Sequence, residues 1–91
     1  MTIKEFLADG GRINARWDFT DFASHEVDQS NSTENFSSVD DIVQDAIEQG
    51  SFSENQEFNR CSETFDLYDS DGNELATDLD EDEANSFIAN L

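Results

Sequence analysis

The chain has no proline, one cysteine, one histidine and four glycines, and only four of its 91 residues are Lys or Arg. A lone thiol, Cys61, forbids an intrachain disulfide, which suits a reducing compartment and leaves the fold to rest on a hydrophobic core. No apolar run approaches the ~18 residues of a membrane span, and the start Met1-Thr2-Ile3-Lys4-Glu5-Phe6 meets charge too early for a signal peptide. A cytoplasmic protein without membrane contact is therefore expected, and the sequons Asn31-Ser32-Thr33 and Asn35-Phe36-Ser37 are chance matches on that reading. Without proline one common linker marker is missing, and no internal repeat divides the chain. Residues 1–91 read as a single acidic domain that buries roughly 60–65 % of its unfolded surface around one modest core.

Eight Phe, Trp17 and Tyr68 supply that core, which distinguishes the chain from a disordered acidic tail. Helical periodicity is clearest at Val39, Ile42, Val43, Ala46 and Ile47, opened by Ser38 with Asp41 three residues on and stopped at Gly50. Its opposite face carries Asp40, Asp41, Gln44, Asp45 and Glu48. A first, short helix opens at Thr2 with Glu5 closing a capping box, places Ile3, Phe6 and Leu7 on one face and ends at Gly10-Gly11. The last helix begins near Asp80, with Glu83 three residues later, and buries Ala84, Phe87, Ile88 and Leu91. Its dipole favours Asp80, Glu81, Asp82 and Glu83 at the N-terminal end.

Strands fill the intervals. Arg12 to Thr20 alternates, with Ile13, Ala15, Trp17 and Phe19 on one face and Arg12, Asn14, Arg16 and Asp18 on the other. Asn59 to Tyr68 and Glu74 to Leu79 form a hairpin about the turn Asp69-Ser70-Asp71-Gly72-Asn73. The interval 21–37 is long for a structureless loop, so Phe22 to Val27 reads as a further strand or an extension of the first. The expected fold is α+β, in the order helix, strand, helix, strand, strand, helix, with an antiparallel sheet packed on the helices. The expected core is Phe6, Ile13, Trp17, Phe19, Ile42, Val43, Ile47, Phe65, Leu67, Leu75, Phe87 and Ile88.

Chemistry-bearing motifs are scarce. Asp69, Asp71, Gly72 and Glu74 suggest a calcium loop, but with the glycine at Gly72 the first ligand position falls on Leu67 and the last on Asp78, so a hairpin turn fits better. No motif surrounds His25 or Cys61, and neither a cofactor nor a metal site is expected. Arg12 and Arg16 read as partners of nearby carboxylates. An acid-lined active site for polyphosphate would repel its own substrate. The chain is not expected to be an enzyme.

What remains is charge. Twenty-three Asp and Glu give a formal net charge of −19, and from Trp17 onward Arg60 is the only Lys or Arg. Self-repulsion on this scale costs folding stability, whereas solubility needs a net charge of only about 2 to 8. Helical acids at i, i+4 lie about 6 Å apart and strand acids at i, i+2 about 6.7 Å apart, spacings comparable to those of nucleic-acid phosphates. Three clusters qualify: Asp40, Asp41, Asp45 and Glu48; Asp66, Asp69, Asp71 and Glu74; and Asp80, Glu81, Asp82 and Glu83. Such a surface can occupy a groove lined with Lys and Arg and exclude nucleic acid from it.

In small size, extreme acidity, mixed helix and strand content and near-absence of lysine, the chain resembles the DNA-mimic inhibitors that phages and mobile elements direct against restriction enzymes and CRISPR effectors, anti-CRISPR proteins most of all. The resemblance rests on composition and element order, and no functional residue carries over from it. It implies a stoichiometric inhibitor, monomeric or a small homo-oligomer, whose partner is a basic nucleic-acid-binding protein or complex and which does not itself bind nucleic acid. Two other readings stand beside it: an acidic domain of a halophile, and an antitoxin or immunity protein that covers a basic nuclease.

Overall fold

The computed structural model describes residues 1–17, 23–30, 36–48 and 63–91, with the side chains of Trp17, Ala23, Val43 and Ile47 outside that description. Its elements in chain order are α1 (Ile3–Ala8), β1 (Arg12–Trp17), β2 (Ala23–Val27), α2 (Asp41–Glu48), β3 (Glu63–Tyr68), β4 (Glu74–Leu79) and α3 (Glu81–Ala89). The four strands form one antiparallel sheet in the order β2-β1-β3-β4. The α+β expectation holds, with one addition: Ala23–Val27 is a strand of its own, paired with β1 at the sheet edge.

Strand alternation builds the core. Ile13 and Ala15 stand opposite Val27 and His25 on one side and Leu67 and Phe65 on the other, so all six share the buried face. Against that face pack Ile3, Phe6 and Leu7 of α1, Val39 just before α2, Ile42 and Ala46 within it, and Ala84 and Ile88 of α3. Full burial of a side chain such as Phe65 or Ile42 stabilises by about 1.5–3 kcal/mol. Of the residues expected inside, Leu75 and Phe87 are only half-buried and lean on the core from its rim, because β4 is an edge strand and α3 reaches the core mainly through Ala84 and Ile88. Ala84 is buried as expected, and Phe36 and Val27 belong to the core although they were not expected there. Leu91, expected inside, is exposed at the end of the chain. Phe19, Gly50, Cys61 and the 59–62 part of the expected hairpin strand lie outside the described residues.

Two of the three expected capping boxes form, and the one at Ser38 and Asp41 does not. Thr2 Oγ1 accepts from the Glu5 N–H while Glu5 Oε1 accepts from the Thr2 N–H, and Asp80 and Glu83 repeat the exchange at the start of α3. The second helix starts at Asp41, two residues later than its periodicity from Val39 suggests. Ser38 to Asp40 instead make a tighter turn, in which Asp41 N–H donates to Ser38 O and Ile42 N–H to Val39 O. The Val39 N–H is drawn off to Asn85 Oδ1 at 2.9 Å, tying the entry of α2 to α3. At the far end of the molecule Gly10, at φ +95°, brings the α1–β1 turn so close to the β3–β4 turn that a Cβ there would lie 2.8 Å from Ser70 Cβ.

Candidate acidic interface

Carboxylates are distributed very unequally between structural and solvent-facing duties. Asp40, just before α2, and Glu48 at its end are exposed, but Asp45 is a correction to the expected acidic face: it is 7 % exposed, and its Oδ2 lies 2.6 Å from Nε2 of His25, itself 9 % exposed. His25 occupies an inward position of β2, in step with Val27, so it carries a polar group into the layer between sheet and helix. A buried polar group needs a partner there, and α2 turns the Asp45 side inward to supply it. Asp41, four residues earlier on the same side, is half-buried and accepts from the N–H groups of Ser37 and Ser38 and from Ser37 Oγ. The α2 cluster therefore does not assemble as one exposed face.

The hairpin cluster also loses a member. Asp66 points to the polar face of the sheet, yet it is only 6 % exposed and takes both a forked ion pair and a backbone N–H. Arg16 Nε donates to its Oδ2 at 2.9 Å and Arg16 Nη2 to its Oδ1 at 3.1 Å. Arg16 Nη2 also contacts Asp78. Arg12 meets Glu26 at 3.7 Å and lies over the Tyr68 ring, 5.5 Å from its centroid. Both arginines thus partner carboxylates, and Asp66 is withdrawn from the exposed field.

Asp69 is half-buried and organises its own turn. Its Oδ1 accepts from the N–H groups of Asp71 and Asn73, and its N–H donates to Asn73 O. Gly72, at φ +84°, supplies the left-handed residue such a turn requires. No group of three or more His, Cys, Asp or Glu suited to a metal ion occurs among the described residues. What stays in solvent is a run along the other edge of the sheet: Asp71, Glu74, Asp78, Asp80, Glu81, Asp82 and Glu83. Two expected clusters become one ridge, because β4 is the edge strand that joins the hairpin turn to the start of α3. Asp78, with 74 % of its side chain exposed, is the member that the sequence reading missed. Residues 61–91 contain no Lys, Arg or His, and the positive charge seen on the ridge comes from β1, where Arg16 meets Asp78.

Several structural carboxyls sit below the ordinary carboxylate range. The Thr2 N–H, then the Thr2 hydroxyl, lowers Glu5. The Asn73 N–H leads the lowering of Asp69, and the Ser30 hydroxyl that of Asp28. For Asp41, burial pushes upward, and the donors from Ser37 and Ser38 together more than reverse it. A carboxyl lowered in the folded state adds stability above its unfolded value of about 4, and that stability is lost as pH falls through the lower folded value. Meanwhile the charge of −19 shrinks as pH approaches the isoelectric point of about 4.1, relieving repulsion. Folding stability in urea is therefore expected to rise from pH 7 to about 5 and to fall steeply only below about 3. A monotonic fall from pH 7 would show that repulsion is not the dominant pH-dependent cost.

No helix among the described residues is long and apolar enough to cross a membrane. Comparison with protein-family models, with curated proteins and with solved structures returned no match.

Proposed function

We propose that the chain is a stoichiometric inhibitor whose β4–α3 ridge imitates the charge of a nucleic-acid backbone and occupies the basic cleft of a nucleic-acid-binding complex, in the manner of anti-CRISPR and anti-restriction mimics. The observation that carries the reading is the placement of the acids: Asp41, Asp45, Asp66 and Asp69 are at least half-buried in internal contacts, while Asp71, Glu74, Asp78, Asp80, Glu81, Asp82 and Glu83 are exposed along one edge, even where Asp78 meets Arg16 and Asp80 and Glu83 close a capping box. The six residues of β4 span about 20 Å at the usual strand rise. The body that carries them is 33 Å in its longest dimension, close to one ~34 Å turn of duplex DNA. Binding proceeds without chemistry. Lys and Arg side chains that would neutralise phosphates meet carboxylates instead, and nucleic acid loses its place.

Edge strands also carry charge to discourage pairing with other chains, and a few of these acids would suffice for that. Seven over such a short stretch exceed the need. An immunity protein covering a basic nuclease would use the same ridge, so only the identity of the target separates that reading.

Capture from a lysate of a CRISPR- or restriction-bearing host, at about 50 mM and about 500 mM salt, tests the proposal. The expected catch is a nucleic-acid-binding complex held at low salt, released at high salt and displaced by its own target DNA. A ternary complex of partner, inhibitor and bound DNA at full occupancy would overturn the mimicry. A chain that folds only in molar salt would point to a halophilic domain.

A further inference from the structure

The ridge is bent, and the bend is held from inside the sheet. Phe65 pairs with Leu79 and Leu67 with Ala76, so β4 uses one more residue than β3 over this interval. Thr77 and Asp78 together oppose Asp66, which is a β-bulge. Asp78 takes φ +55°, the left-handed region that a non-glycine residue enters only at a cost of about 1 kcal/mol or more. Asp80 caps α3 two residues later, so the conformation at Asp78 sets the direction in which the carboxylates of α3 leave the sheet.

Arg16 secures this bend. Arg16 holds Asp66 in a fork, Asp66 Oδ1 accepts the Asp78 N–H at 3.1 Å, and Arg16 Nη2 reaches the Asp78 carboxylate. The Asp66 half of the clamp is buried, with 8 % of the side chain exposed, and the Asp78 half is open, with 74 % exposed. The Asp66 and Asp78 carboxylates both raise the Arg16 pKa, so the guanidinium is a permanent charge in this position. In so acidic a chain, a cation on this face is a net loss to a surface that attracts basic partners. Its fork nevertheless joins Asp66 and Asp78 in one clamp.

We propose that Arg16 is the positioning residue of the acidic ridge: it does not meet the partner, but fixes the β4 bulge so that Asp78 and the start of α3 present their carboxylates in one line. The geometric part stands on the clamp alone, and its bearing on binding rests on the inhibitor reading. Arg16→Lys is the informative variant, because it keeps the charge and loses the fork. Amide exchange at Asp78 and Leu79 is expected to accelerate about ten- to hundredfold, the effect of one lost charge-assisted hydrogen bond, while Ile13 and Ala15 of β1 keep their protection. The double variant Arg16→Gln with Asp66→Asn keeps an acceptor for the Asp78 N–H but removes the clamp, and is expected to show the same acceleration at the bulge as Arg16→Lys. Unchanged exchange at the bulge in Arg16→Lys, uniform acceleration across β1 and β4, or wild-type protection in the double variant would each overturn the assignment. Against the captured partner, Arg16→Lys is expected to bind about tenfold more weakly at unchanged net charge, where charge alone predicts no difference. Wild-type affinity with an altered bulge would reject the role in binding and leave the mimicry itself to be judged by ridge neutralisation.

Discussion

Replacing Asp71 and Asp82 by Asn, Glu74 and Glu81 by Gln, Asp80 by Asn and Glu83 by Gln in one chain is expected to abolish partner binding while leaving the fold as stable as before or more so. The exchange is chosen to remove charge and keep geometry. Asn caps a helix as well as Asp, and Gln completes a capping box as well as Glu, so the start of α3 keeps its hydrogen bonds. Each exposed pair across a charged interface contributes at most about 1 kcal/mol, so single replacements are expected to be mild and the loss to accumulate across the ridge. Six pairs at that size amount to several orders of magnitude in affinity. Stability moves the other way because six mutually repelling charges leave a body that carries −19. Titration against the captured complex, with urea denaturation in parallel, reads both quantities. Retained affinity in a folded six-site variant would sink the ridge as the contact surface. Equal loss on replacing Asp9, Glu26, Asp40 and Glu48, which lie elsewhere, would show that net charge rather than place decides binding.

The second large effect is expected at the His25–Asp45 pair, and it concerns folding. Both side chains are 8 % exposed and 2.6 Å apart, between the inner face of β2 and α2. Truncating either one takes from the other its 2.6 Å partner in a buried layer, and breaking a buried pair costs up to about 3–5 kcal/mol. That is a large share of the 5–15 kcal/mol typical of a domain. His25→Ala or Asp45→Ala should therefore lower the urea midpoint sharply. Replacing both by Leu removes the two halves of the pair together, and it is expected to cost less than either single change. A double variant as unstable as the sum of the two singles would show that the residues act independently and that the pair is not what holds α2 to the sheet.

These two experiments divide along the line between local and distant information. Thr2 with Glu5, and Asp80 with Glu83, are three residues apart, and a capping box is complete within its own turn, so the amino-acid order settled both helix starts. The same holds for the alternation Arg12, Asn14, Arg16 against Ile13 and Ala15, and for the turn at Asp69 to Asn73, where Gly72 meets a backbone demand no neighbour could alter. Net charge is a sum over residues and needs no fold. The allocation of that charge was not legible. Asp45 sits four residues from Asp41 on what its own helix presents as a polar face, and it became internal because His25, 20 positions away, occupies an inward place on β2. Asp66 looked like one acid among many until Arg16, 50 positions earlier, closed on it across the sheet. Asp78 entered the ridge because a bulge in β4 turned it outward against that same arginine. Local sequence determined most of the helices, strands and turns, though not that Ala23–Val27 is a separate strand or that α2 begins at Asp41, and it determined how acidic the whole must be. The tertiary structure alone decided which carboxylates are neutralised inside and which face solvent, because burial and ion pairing join residues that are remote along the chain.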